Sequence, residues 1–313
     1  GGEPTLRKDV VEVVRMLGEL RSQGLEQIGM TSNGIVLHRH LPQLVDAGLT
    51  HLNLSLDTLK PDKFEEMTRR PRAGLDRVLA VIDQALALTR DPMSPLRPSS
   101  SAAAAAEETA AGVAEEEGGL SNTSGAGRER ERYLRKLKLN VVVMKGVNEE
   151  EVLDFVALTR ERALNVRFIE WMPFDGNIWS VEKMEPYQET RRRIEARFGP
   201  LEEAGDQLSG GDPNAVAKDF RVPGFKGEVS FITSMTEHFC GSCNRLRLMA
   251  DGNFKVCLFG REETNLLAAM RAGASDGEVA GHIHRAVQRK RAKHAGMFEL
   301  SKMPNRAMVK IGG

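Results

Sequence analysis

Cysteine is scarce in this chain: three occur among 313 residues, all between Phe239 and Gly260. That excludes the disulfide framework that staples small secreted proteins and turns attention to metal. Net charge is absent too, with 44 basic residues against 44 acidic ones, so no overall field argues for nucleic acid or a membrane surface. No apolar run approaches the roughly 20 residues needed to cross a bilayer. The opening Gly1-Gly2-Glu3-Pro4 has neither an initiator methionine nor a targeting pattern, so the sequence is expected to begin inside a fold.

The stretch that remains most informative is FCGSCNRLRLMADGNFKVCLFG. Cys240 and Cys243 form C-x2-C, and Cys257 follows Cys243 with thirteen residues between them and its own alternating segment. Leu246 and Leu248, then Asp251-Gly252-Asn253, then Phe254, Val256 and Leu258 predict a β-hairpin turning at Asp-Gly. Such a hairpin returns Cys257 to the first pair. Arg245 and Arg247 sit at alternate positions, which on a strand places two guanidinium groups on one face beside the metal. Three thiolates without a fourth leave two metals open. An iron–sulfur cluster can keep one iron unliganded, and zinc can close its shell with His238 or a distant histidine. Unrelated buried thiols are the bland alternative.

Along the rest of the chain, helical periodicity is predicted over 9–20, 37–47, 61–67, 76–88, 148–162, 187–198, 265–271 and 276–293. Strands are predicted over 28–31, 51–57, 137–144, 166–171 and 227–233, with 201–211 as loop and 310–313 as a flexible tail. Alternating strands and helices predict an α/β fold with a parallel sheet or barrel, whose chemistry gathers at the C-terminal ends of the strands. Residues 92–131 are rich in Ser, Ala, Glu and Gly and poor in large apolar side chains, so they are expected to form a disordered insertion. The basic residues Arg285, Arg289, Lys290, Arg291 and Lys293 read as a solvated helix face.

The segments GGEPTLR, TSNG at 31–34, NLSLD at 53–57, LKLN at 137–140, RFIEWM at 167–172, CGSCNRLRL at 240–248, KVCLFG at 255–260 and a final IGG occur in that order. Together they resemble the GTP 3′,8-cyclase family (molybdenum cofactor biosynthesis protein A) of radical S-adenosylmethionine (SAM) enzymes. The resemblance implies a partial, TIM-like (β/α)6 barrel over 1–175, lacking its first βα unit. It implies a C-terminal α+β region over 176–313 with a second [4Fe–4S] cluster on Cys240, Cys243 and Cys257. Gly1, Gly2, Glu3, Ser55 and Met172 are implied in SAM binding. Thr31, Lys138, Arg245, Leu246 and Arg247 are implied in GTP binding, with Asn140 lining the same mouth. Gly312 and Gly313 are implied in a tail that enters the active site.

The family's N-terminal CxxxCxxC, which holds the first cluster with SAM, is not in this sequence, so the chain as written is expected to be inactive alone. The implied reaction is lyase chemistry joining C3′ of GTP to C8 of guanine, with the open iron of the second cluster holding the base. The implied partners are GTP, SAM, an electron donor and, downstream, cyclic pyranopterin monophosphate synthase; nucleic acid and membrane are not implied, and the family tends to homodimers. The ending and the long insertion resemble eukaryotic members, which act in the mitochondrial matrix, whereas bacterial members are cytoplasmic. Two rivals remain: another radical SAM enzyme with an auxiliary cluster, such as a peptide maturase, and a non-catalytic Cys3His zinc protein.

Overall fold

The computed structural model describes residues 2–89, 133–204, 216–237, 240–291 and 296–311. The expected insertion at 92–131, together with Gly1, His238, Gly312 and Gly313, lies outside the described residues.

A seven-stranded sheet organises the chain. Its strands are β1 Gly29–Ser32, β2 His51–Ser55, β3 Lys136–Val143, β4 Asn165–Glu170, β5 Glu202–Glu203, β6 Lys218–Arg221 and β7 Glu228–Ile232. The order is β1-β2-β3-β4-β7-β6-β5, parallel from β1 through β7 and antiparallel for the last two. Helices α1 Val10–Glu19, α2 Leu41–Asp46, α3 Pro61–Thr68, α4 Ala73–Ala87, α5 Val152–Ala157 and α6 Tyr187–Phe198 accompany these strands. The outcome is a mixed α/β fold with a mainly parallel sheet.

Parallel strands covered on both faces read as nearly continuous apolar runs. These do not. In β3, Leu137, Leu139, Val141 and Val143 are buried while Lys136, Lys138, Asn140 and Val142 alternate with them. In β2 the buried pair is Leu52 and Leu54, against His51, Asn53 and Ser55. One face therefore joins Val78, Val81 and Ile82 of α4, Leu44 of α2 and Val10 of α1 in the main core. The other face is largely polar, and the candidate site lies there.

The end of β4 is fixed by a buried carboxylate. Glu170, 3% exposed, accepts bonds from the backbone N–H of Tyr187 at 3.0 Å, Met235 at 2.7 Å and Thr236 at 2.9 Å, and from the Thr236 hydroxyl. A carboxylate there satisfies three N–H groups that burial would otherwise orphan. Glu170→Ala is expected to cost about 3–5 kcal/mol of stability, by orphaning several donors at about 1–3 kcal/mol each. A urea titration of the variant checks this, and an unchanged midpoint contradicts it.

Two expected elements come out differently. The helix expected over 148–162 is a 3-10 turn, Glu149–Glu151, followed by only six residues of α5. The Thr159 hydroxyl donates to the Val156 carbonyl at 2.7 Å, and the carbonyls of Thr159 and Arg160 accept from Gly227 and Lys226 at 2.8 and 3.1 Å. Tertiary partners thus satisfy carbonyls just beyond the helix end. Gly227 suits this approach, since a Cβ there would lie 2.3 Å from the Leu164 carbonyl oxygen. Within the 201–211 stretch expected to be loop, Glu202 and Glu203 form a strand against β6, while 205–211 lie outside the described residues.

Candidate functional site

The cysteine stretch folds as expected into a hairpin. β8 Arg247–Leu248 pairs with β9 Asn253–Lys255 in the register Arg247↔Lys255 and Leu248↔Phe254, and β10 Thr264–Asn265 adds a third strand. Gly252 closes the turn with φ of 79°, where a Cβ would lie 2.1 Å from that of Leu267, so glycine is required there both for its backbone and for space. Helices α7 Leu266–Arg271 and α8 Asp276–Gln288 back the hairpin, with Leu266, Ala286 and Phe254 forming a small core.

Cys240 and Cys243 lie on a tight turn in which the Cys243 N–H donates to the Cys240 carbonyl at 3.2 Å. Cys257 follows β9. All three are half-buried, free thiols. Burial, then Arg245, pushes the Arg247 guanidinium pKa down, and electrostatic interaction with Cys243 and Cys257 opposes part of that push. Among the described residues, no three of His, Cys, Asp and Glu stand close enough to enclose a single metal ion. The donor chemistry fits an iron–sulfur group: soft sulfurs, partly shielded from water, with the Lys290 ammonium 3.7 Å from that of Cys243.

The polar face of the sheet carries a connected row. Asn53 donates to the Thr31 hydroxyl at 3.2 Å. Arg167, in the middle of β4, donates to Asn53 Oδ1 at 3.2 Å and to Asn140 Oδ1 at 2.9 and 2.7 Å. Burial, then the nearby Arg245, pushes Arg167 down to about 10. Lys138, on the neighbouring strand, is pushed down to about 8 by burial, then by Arg167 and Lys136, against an opposing pull from Asp219 and Glu228. Deeper on this face, Lys136 pairs with Glu228 at 2.7 Å, and Asn165 donates to Glu228 at 2.6 Å and to Ser230 at 2.7 Å. Lys138, Arg167 and Arg245 thus form a repelling cationic group in a partly desolvated setting, which a polyanion would relieve. Asp57, just past β2, accepts from the Val142 N–H at 2.8 Å, and burial pushes its carboxyl up to about 6.

The remaining expected site residues fall around this face. Glu3 accepts from the Thr5 N–H and hydroxyl at 3.1 and 2.6 Å, from the Ser32 hydroxyl at 2.8 Å and from the Asn33 N–H at 2.7 Å. Its carboxylate thereby seats the Gly2-Glu3 loop on the C-terminal end of β1. Ser55 is exposed at the end of β2. Met172 and Cys257 pack against an apolar cluster that includes Phe174, Met235, Phe259 and Ile311. Leu246 is 45% exposed.

The tail expected to be flexible is ordered through Ile311. α9 Met297–Lys302 and α10 Met308–Ile311 bracket Asn305. The Asn305 N–H donates to Asp175 at 2.8 Å, and its side-chain oxygen accepts from buried Lys255 at 3.2 Å. The Gly2 N–H donates to the Val309 carbonyl at 2.7 Å. The sequence assigned Asn305 and Val309 no partners, because each partner is contributed by a residue more than 40 positions away.

Arg167 and Asn53 received no role from the sequence. The signal was available, since an arginine between Val166 and Phe168 on a buried parallel strand has to point to the opposite, polar face.

Two family models match parts of the chain. Residues 1–94 match the radical SAM superfamily model, and residues 164–296 match Molybdenum Cofactor Synthesis C. The chain is 44% identical over all its 313 residues, and over 67% of the relative, to a mitochondrial GTP 3′,8-cyclase of Arabidopsis thaliana. It is 37% identical, over 100% of itself and 80% of the relative, to a GTP 3′,8-cyclase of Moorella thermoacetica. It is 45% identical over 311 residues, 99% of itself, to molybdenum cofactor biosynthesis protein 1 of Bos taurus, but spans only 41% of that protein.

Proposed function

This chain belongs to the GTP 3′,8-cyclase family of radical SAM proteins, and on that premise we propose that it forms the substrate-holding part of an enzyme that cyclises GTP in molybdenum cofactor biosynthesis. The observation that carries the reading is the cationic group formed by Lys138 and Arg167 on the polar sheet face with Arg245 of the thiol-bearing segment. The triphosphate would meet these three cations. Arg247 and the exposed Leu246 would flank the base and ribose, and Thr31, linked to Asn53, would accept a further contact. Rigid strands hold most of these groups, so their contribution is orientation and charge.

Cys240, Cys243 and Cys257 would hold a [4Fe–4S] cluster with one iron left for the substrate. The family's CxxxCxxC segment would hold the other cluster with SAM, near Gly1, Gly2, Glu3, Ser55 and Met172. When bound, SAM and its cluster supply the radical chemistry, with electrons from a donor. The protein's own groups hold the nucleotide, neutralise its phosphates and keep its sugar and base in register. On this reading the reaction is a lyase step, the sheet is a partial radical SAM barrel over 1–175 and the remainder is the cofactor-synthesis region. The product would pass to a cyclic pyranopterin monophosphate synthase. A homodimer and a place in the mitochondrial matrix are part of the same proposal, the latter because the plant relative is named mitochondrial.

A pH titration tests the phosphate site. The Lys138 ammonium is charged well below about 8 and neutral well above it. GTP affinity, measured by calorimetry, is therefore expected to fall as the pH rises from 7.5 to 9. Stability should move the other way: an unfolded lysine keeps its proton to 10.5 while the folded one releases it near 8, so between those values the unfolded state binds more protons and stability rises with pH. Lys138→Arg should flatten both slopes. A GTP affinity unmoved by pH in the parent chain removes Lys138 from the site.

A further inference from the structure

Lys290 reads from the sequence as one more member of a wet basic face, and the fold places it elsewhere. Its ammonium donates to the Cys243 carbonyl at 2.6 Å, to the Arg245 carbonyl at 3.2 Å and to Cys243 Sγ at 3.7 Å. An ammonium has three N–H groups, and three acceptors are present. α8 delivers it rigidly. The helix starts in a capping box between Ser275 and Glu278, buries Ala286 against the hairpin core and ends with the Lys290 N–H donating to the Val287 carbonyl at 2.9 Å. The preceding Arg289 is directed instead to Glu262, in an exposed pair at 3.2 Å.

We propose that Lys290 is a positioning residue that grips the segment Cys243–Arg245 from both sides and donates a charge-assisted N–H to the Cys243 sulfur. In one contact it fixes a cluster thiolate and the backbone that carries the GTP-facing arginine. The proposal rests on the cluster reading above. A cation on a ligating thiolate favours the more negative, reduced cluster, so its removal lowers the reduction potential. It also frees the turn, so iron is lost more easily to a chelator.

The experiment uses the 313-residue chain, in which these are the only cysteines and any cluster signal has one source. Reconstituted parent, K290M, K290Q, K290R and the control R289M are compared by redox titration followed by electron paramagnetic resonance, and by the rate of bleaching under a chelator. K290M is expected to titrate at lower potential, by about tenfold in the one-electron equilibrium, or about 59 mV. It should bleach several-fold faster. K290R should recover most of both effects, and R289M should match the parent. Cluster loss from K290M and K290Q alike, with K290R and R289M loaded, supports the proposal equally. K290M with parental potential and bleaching rate overturns it. A parent chain that takes up no iron overturns the cluster reading instead, a separate and visible outcome.

Discussion

Cys257→Ala is expected to take the iron of the reconstituted chain from about four atoms to background while leaving the fold in place. The two effects separate because Cys257 serves two neighbourhoods unequally. Its side chain lies at the margin of the apolar cluster of Phe174, Phe259 and Ile311, where it is only partly buried. Replacing a thiol by a methyl group there costs about 1 kcal/mol, the size of an ordinary substitution. For a bound cluster the loss would be categorical. Cys240 and Cys243 share one turn and would grip it from one side only, so Cys257, just past β9, would supply the opposing sulfur. Alanine is the informative replacement, since serine would place a hydroxyl against apolar neighbours. Iron assay, visible absorption and thermal melting on the same sample give the three numbers needed. Parental iron content in Cys257→Ala would remove the three-cysteine cluster from consideration.

Arg167→Met is expected to weaken GTP binding about a hundredfold. Hydrogen bonds to a charged group contribute about 1.5–3 kcal/mol each, and 2.7 kcal/mol is roughly a hundredfold in Kd. Arg167 does more than supply charge. Its fork holds Asn140 through two nitrogens and Asn53 through one of the same two, so the row from Thr31 to Asn140 loses its centre when it goes. Folding stability should change much less than binding. Burial and the neighbouring Arg245 already oppose the Arg167 charge, and relief of that repulsion offsets the lost hydrogen bonds. Arg167→Lys separates charge from geometry, since lysine restores the cation without the planar fork and should recover only part of the affinity. Calorimetry at two ionic strengths checks both variants. A Kd for Arg167→Met within twofold of the parent would show that the triphosphate lies elsewhere.

Periodicity made much of the framework legible. The Lys-Leu-Lys-Leu-Asn alternation of β3 and the apolar spacing of α4 each follow from one buried face, and the helix Tyr187–Phe198 was readable to its ends. Asp-Gly fixed the hairpin turn because the positive φ at Gly252 demands it. What stayed hidden depends on residues distant in sequence. β5 and β10 are two residues long and exist by pairing with neighbours. The carbonyls beyond α5 are satisfied by Lys226 and Gly227, more than 60 positions away. In the site, thiols and adjacent arginines announce themselves by spacing and Arg167 by its place between apolar strand residues, whereas Lys290 looks like any surface cation until the fold gives it acceptors.

β4 and β7 are hydrogen-bonded neighbours in the middle of the sheet, although Asn165 and Glu228 are 63 positions apart, and β3 joins β2 across the whole of residues 56–135. During synthesis, β4 therefore waits with one flank unpaired until β7 has emerged. A piece ending near residue 175 would keep that flank as a bare β-edge, a template for strand-to-strand aggregation. Coexpressing two halves divided between β4 and β7 should rescue solubility that neither half has alone, because each carries the other's missing hydrogen-bond partner.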